Sequence, residues 1–142
     1  MTFHYQEQFN KLVENCPPKN YKPLDITAYR WIFEEGDVRN FQSQFEKQPK
    51  RYNDTSDLEK CDSMALSMFT SVESAEKQFL FLKNERRMNE KAYSLLGKYV
   101  AVGYIDEKDG VNEIPANKFG HFNHHPAVDF NYHNQFKIIR DL

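Results

Sequence analysis

Apolar positions recur first at helical spacing, with Tyr5, Phe9, Leu12, Val13 and Cys16 predicting a short amphipathic helix within residues 3 to 16. Pro17 and Pro18 end it, and Pro23 keeps the following chain extended. The run ITAYRWIF (26–33) is β-branched and aromatic throughout and predicts a strand. Asp37 stands at the N-cap position of a helix from Val38 to about Lys47, with Val38, Phe41 and Phe45 as its apolar stripe. Residues 48 to 62 are polar and read as the longest loop. MALSMF (64–69) predicts a second strand, after which Val72, Ala75 and Phe79 restore helical spacing. At that joint, Thr70-Ser-Val-Glu73 fits a capping box, in which hydroxyl and carboxylate each satisfy an orphan amide. The helix is expected to reach Leu82, break near KNERRMNE, and resume as EKAYSLL until Gly97.

Past Gly97 the rhythm changes to alternation. KYVAVGYI (98–105) reads as a strand, and EKDG as a turn leading into VNEI (111–114), a pair that Pro115 closes. Residues 118 to 134 are aromatic and irregular, and QFKIIRDL forms a terminal strand. Helices in the first two thirds and antiparallel strands in the last third predict a compact α+β fold. At 142 residues the chain fits a single domain, 1–142, with a lead-in over 1–24 and an α+β core over 26–142.

Composition sharpens this outline. The aromatic share is 15%, with 12 Phe and 8 Tyr, so rings supply much of the core. A net charge of −2 with both signs interspersed gives no field for nucleic acid or an anionic membrane. The basic runs Lys47 to Arg51 and Lys83 to Arg87 sit among acids and read as solvated surface. The N-terminal MTFHYQEQFNKL does not read as a signal peptide, and no run of about 18 apolar residues predicts a membrane span. Cys16 and Cys61 stand far apart in no metal-like spacing, and two free thiols in a reducing cytoplasm is the expectation.

Three groupings carry chemistry. Strand alternation puts Arg30 on a face with Ile26, Ala28 and Ile32, inside an apolar strand. A buried guanidinium needs a carboxylate such as Glu34 or Glu73, main-chain carbonyls, or an anionic ligand; exposure at the strand end is the other reading. Thr70 and Ser71 either cap the helix or brace a ligand, whereas capping does not account for Ser67. In HFNHHP, His121, His124 and His125 lie near Asp129. Their spacing matches no zinc helix or ribbon, and extended chain turns His124 and His125 to opposite sides. A transition-metal site, as in a metal-dependent hydrolase, a hydrogen bond to a ligand, proton transfer and ordinary loop residence are the readings open to them, and the leading reading expects no metal cofactor. Phosphate-cradling glycine loops and a nucleophile elbow are absent from the sequence.

In order, Tyr29-Arg30, Ser67-Met-Phe69-Thr70-Ser71 and Asn112-Glu113 resemble the three signature elements of the ADP-ribosyltransferase-like fold over residues 26 to about 115. The chain is also similar to small bacterial proteins that combine an opening Tyr-Arg, Leu-Ser-x-Phe, a later Gly-Lys-Tyr-x-Ala and a His-rich aromatic tail, here Gly97 to Ala101 and His121 to His125. The resemblance implies a cleft for NAD as co-substrate. Arg30 would hold its ribose or phosphate, and Tyr29, Ser67, Phe69, Thr70, Ser71, His121 and His124 would line it. Glu113 would stabilise the oxocarbenium-like centre as nicotinamide leaves. The sequence departs from the family in lacking a Glu-x-Glu pair and in carrying Phe-Thr-Ser for Ser-Thr-Ser. The implied activity is ADP-ribosyl transfer or NAD glycohydrolysis, as in a toxin or defence factor with a protein target or cognate partner. The alternative is a non-catalytic module of the same fold that binds a protein or nucleotide.

Overall fold

The computed structural model describes residues 1–85 and 89–142. Among the described residues, six short α-helices accompany one six-stranded antiparallel sheet, an α+β fold. The strands are β1 (Ile26–Ile32), β2 (Leu66–Phe69), β3 (Tyr99–Ile105), β4 (Gly110–Asn112), β5 (His121–Pro126) and β6 (Phe136–Asp141), in the spatial order β4-β5-β2-β1-β3-β6. The α-helices are α1 (Gln6–Phe9), α2 (Gln44–Lys47), α3 (Pro49–Tyr52), α4 (Asp57–Ser63), α5 (Val72–Leu80) and α6 (Glu90–Tyr93). No helix among the described residues is long and apolar enough to cross a membrane.

Several sequence expectations give way here. The first helix covers only Gln6–Phe9; Tyr5 and Phe9 are buried with Met64, whereas Val13 stays exposed. The helix expected from Val38 is a 3-10 turn (Val38–Phe41) and then α2, because Ser43 starts a new N-cap by accepting from the Glu46 amide. The expected loop 48–62 contains α3 and α4. Pro49 sits at a helix start, where its missing N–H is harmless, and Ser56 caps α4 by accepting from the Glu59 amide. At the head of α5 the cap is Ser71, bonded to the Ser74 amide, and the expected Thr70–Glu73 box does not form. The expected break near KNERRMNE lies partly outside the described residues. A π-turn (Phe81–Glu85) runs into the start of that stretch, and α6, capped by Asn89, begins at its last residue, Glu90.

The largest topological correction concerns β4. EKDG does turn the chain, with the Asp109 amide bonded to the Asp106 carbonyl, but β4 pairs with β5 rather than with β3. In sheet order β3 and β4 stand four positions apart, which in a flat sheet is roughly 19 Å. The turned segment 106–109 cannot span that distance, so the sheet curls and brings its β4 edge back toward β3. The main core fills the concave side, with Ala28, Ile32, Leu66, Met68, Ala101, Ile105, Phe122, Tyr132 and Phe136. On the convex side α5 packs Ala75 against Phe69 and Val100, while Trp31 donates its indole N–H to the Ala75 carbonyl at 2.9 Å. Residues 118–134, expected to be irregular, supply β5, a central strand.

Gly110 makes the β4–β5 edge possible. Its φ is +150°, and a Cβ there would come within 2.1 Å of the His125 carbonyl oxygen, which the strand pairing holds in place. Gly36 has φ +80° but open space around it. Gly36→Ala is therefore expected to cost about 1 kcal/mol, the left-handed penalty alone. Gly110→Ala should cost at least about 2 kcal/mol more, through the backbone clash. Urea denaturation of the two variants side by side checks this ordering.

Candidate functional site

β1 and β2 are neighbours, yet their register pairs only Tyr29 with Phe69, and beyond that point the strands part. Arg30 occupies the parting. Its side chain is 7% exposed and donates from Nε to the Asn40 carbonyl at 2.8 Å and from an Nη to the Ser67 carbonyl at 2.7 Å, with a longer 3.4 Å bond to the Gln42 carbonyl. The guanidinium thus substitutes for missing ladder bonds between β1 and β2 and ties both to the 38–42 turn. Asn40 is fixed in return, accepting from the Phe33 amide and donating to the Glu34 carbonyl.

Neither expected acid neutralises it. Glu34 pairs with Lys98 at 3.2 Å, and Glu73 is exposed at the start of α5. Among the described residues no carboxylate forms an ion pair with Arg30, and burial lowers its pKa to about 10. A guanidinium has five N–H donors, so three bonds leave capacity for an anion.

A hollow of about 90 Å³ opens beside it, lined among others by Trp31, Phe69, Ser67, Lys47 and Arg39. Lys47, expected to be solvated surface, is half-buried here; burial and the Arg30 and Arg39 charges lower its pKa to about 8. Arg39 is paired to Asp37 at 2.8 Å and stacks over Phe33 at 3.7 Å. Among the described residues, three cations and no carboxylate line this hollow, with the aromatic side chains of Trp31, Phe33 and Phe69 beside them. Such a lining suits an anion attached to a planar group.

The strand register extends the site. Ser67, exposed in mid-strand, stands opposite Asn123 of β5. Glu113 clasps Asn123 from the other side: its carboxylate accepts the Asn123 amide at 3.0 Å, and its own amide donates to the Asn123 carbonyl at 2.9 Å. The Asn123 side chain lies 3.5 Å from both the Tyr21 hydroxyl and an Asp62 oxygen. Loss of water and the nearby Glu113 and Glu59 charges raise the Asp62 pKa. His121, edge-on to Phe69, lies between the two charge fields. Burial lowers its pKa and Arg30 adds to this, while Glu113 opposes it. Cationic and acidic ends therefore flank Ser67 and Asn123.

Not every expected site residue joins this surface. Tyr29 packs on the α5 side, across the strands from Phe69, which does line the hollow. Thr70 donates its amide to the Gly120 carbonyl, and a Cβ on Gly120 would meet the Ser74 hydroxyl at 2.4 Å and Thr70 Oγ1 at 3.0 Å. The hydroxyls at the joint thus cap α5 and seat a tight turn. His124 points into the core on the opposite face, its ring nitrogens bonded to Asn112 at 2.8 Å and Tyr132 at 2.6 Å. Lys47, Asp62, Asn123 and Tyr21 escaped sequence reasoning. Each is unremarkable alone; Ser43 capping places Lys47, the β2–β5 register Asn123, α4 Asp62, and the Lys22–Asn112 bridge Tyr21.

The expected free thiols are also corrected: Cys16 and Cys61 form a disulfide that fastens the N-terminal segment to α4, one residue before Asp62. Cys61 comes to Cys16 because α4 folds where a loop was expected. No protein-family model, curated protein or solved structure matches the chain.

Proposed function

We propose that this chain is a small NAD-dependent ADP-ribosyltransferase-like enzyme acting in the cytoplasm as a toxin or defence factor on a protein target. The observation that carries the reading is Arg30, buried in the parted strands beside a cation-lined hollow and paired with no carboxylate among the described residues. The three elements of the resemblance also lie on or beside adjacent strands, Tyr29-Arg30 on β1, Ser67 and Phe69 on β2, and Glu113 clasped to β5. In this reading Arg30 and Lys47 hold the pyrophosphate and Trp31 and Phe69 offer a planar face. Glu113 faces the ribose, where positive charge grows as nicotinamide departs.

One observation favours the non-catalytic alternative. Glu113 does not line the hollow, and its carboxylate is already engaged by the Asn123 amide. A domain built this way binds the dinucleotide without breaking it.

Incubation with NAD separates the readings. The enzyme releases nicotinamide and loses this activity in Glu113→Gln, a change of about 10²-fold or more. The binding module shows an NAD-dependent rise in melting temperature with no nicotinamide. Lys47→Gln is expected to weaken NAD about tenfold in either case, by removing one charge-assisted contact. Because the Lys47 pKa lies near 8, affinity should fall between pH 7 and 9 in the parent chain and stay flat in Lys47→Gln. No thermal shift and no nicotinamide at any pH would end both readings.

A further inference from the structure

The two adjacent histidines of β5 have opposite fates. His124 has both ring nitrogens satisfied by a side-chain oxygen. His125 is equally buried, but its Nδ1 has no partner, and its Nε2 faces only the Cys61 sulfur at 3.8 Å. Phe9 stands edge-on to this ring at 5.3 Å and Tyr21 lies 5.8 Å from it, so the imidazole is firmly seated yet poorly satisfied. Buried polar groups are ordinarily paired, and Nε2, whose neighbour is a weakly bonding sulfur, is the nitrogen aimed at the cysteine pair.

Cys16, Cys61 and His125 each offer one ligand atom, and these atoms lie within 4.8 Å of one another. Two sulfurs and one imidazole nitrogen are a donor set for zinc. Zinc–sulfur bonds of about 2.3 Å and zinc–nitrogen bonds of about 2.0 Å, set at the tetrahedral angle, place sulfur and nitrogen roughly 3.5 Å apart. Cys61 and His125 stand near that separation already. Half-buried Cys16 leaves one side of the cluster toward solvent for a fourth ligand.

We infer that Cys16, Cys61 and His125 form a zinc site that opens when the disulfide is reduced. Two molecules of a small thiol are oxidised to their own disulfide, while Cys16 and Cys61 each gain one electron and one proton. Zn²⁺ then displaces both protons and binds two thiolates, the imidazole and a water. The sulfurs move apart on binding, and the segment after α1, α4 and β5 are tied together by metal where a disulfide held Cys16 to Cys61. Reducing surroundings favour the zinc form and oxidising ones the disulfide.

The test uses the whole chain and needs no NAD. Protein reduced anaerobically with a small thiol and freed of it is titrated with Zn²⁺ against a chromophoric chelator. One zinc per reduced chain is expected, and none for the oxidised chain. His125→Asn should weaken the reduced site by at least about tenfold, with circular dichroism unchanged. Cobalt in the reduced parent chain should give thiolate-to-cobalt charge-transfer bands, a readout that stands whether or not the histidine variant folds. The inference is overturned if the disulfide resists the thiol or if cobalt shows no thiolate bands. It is also overturned if zinc uptake by the reduced parent matches that of the Cys16→Ser/Cys61→Ser double variant, or is unchanged in a folded His125→Asn.

Discussion

Arg30→Ala should lower the stability of the fold by roughly 2–5 kcal/mol, the cost of leaving carbonyl acceptors without their donor. The three carbonyls that Arg30 serves belong to Asn40, Gln42 and Ser67, on two separate parts of the chain. Each buried acceptor left without a donor costs about 1–3 kcal/mol, less where water from the adjoining hollow replaces the guanidinium. Since β1 and β2 share one register pair, little else holds that part of the sheet closed. Arg30→Lys keeps the charge but not the planar fork and should fall between the parent and alanine. Urea midpoints at pH 7 measure the series, with an unchanged m-value showing that stability alone has moved. A loss below about 1 kcal/mol for alanine would mean the carbonyls hydrate freely and the strands need no clamp. Lys47→Gln provides the contrast: it lines the same hollow without bridging strands, so it should weaken an anion while leaving the midpoint near the parent's.

How much of this was legible beforehand differs by element. The first two strands and α5 announced themselves through long apolar patterns. The buried location of Arg30 followed from its neighbours on β1. What the pattern could not supply was a partner, because main-chain carbonyls leave no trace in a sequence. Short helices such as α3 and α4 hid inside a polar stretch, since a single turn shows too few positions for periodicity to appear. Ser56 and Glu59 carried a local signal there, the same hydroxyl cap that α5 uses. β5 was missed because it mixes His and Asn with Phe, and its inward side chains include an imidazole that the core accepts by hydrogen bonding.

Long-range pairing explains the remaining differences at the site. Asn123 and Ser67 meet only through the β2–β5 register, and Glu113 joins them only because β4 pairs at the far edge instead of folding back on β3. A turn signal fixes where the chain reverses and not which strand it then joins. Likewise Cys16 and Cys61 gave no usable spacing, since α4 and the N-terminal segment bring together residues that lie 45 positions apart.

Acid should unfold the oxidised, metal-free protein well above the pH at which carboxylate titration ends. Burial lowers the pKa of His124 to about 3, with the His125 and Arg30 charges adding to it, and burial alone lowers that of His125 to about 4, against 6.5 for a free imidazole. Both rings are therefore neutral when folded and take up a proton once exposed. A depressed pKa contributes stability that is complete above pH 6.5 and is lost as the pH falls toward the folded value. Each ring gives up about 1.4 kcal/mol per pH unit, so together they remove roughly 4 kcal/mol by pH 5 and 6 kcal/mol by pH 4. That loss rivals the whole stability of many domains, about 5–15 kcal/mol. Asp62, whose pKa is raised, works in the opposite sense and offsets a small part as the pH falls toward the ordinary carboxylate range. The geometry supports the sign. Asn112 donates its amide to the Lys22 carbonyl, which turns its oxygen to His124 and places the proton on Nδ1. His124 Nε2 is then left to accept from the Tyr132 hydroxyl at 2.6 Å. A second proton reverses that bond and turns the hydroxyl to the Asp109 carbonyl at 3.3 Å, so what it adds is an uncompensated charge deep in the core. Urea midpoints at pH 7, 6 and 5 should fall steeply, and His125→Asn should halve the slope. A stability that stays level from pH 7 to 5 would mean that both rings reach water, and that the contrast between them is not a property of the folded chain.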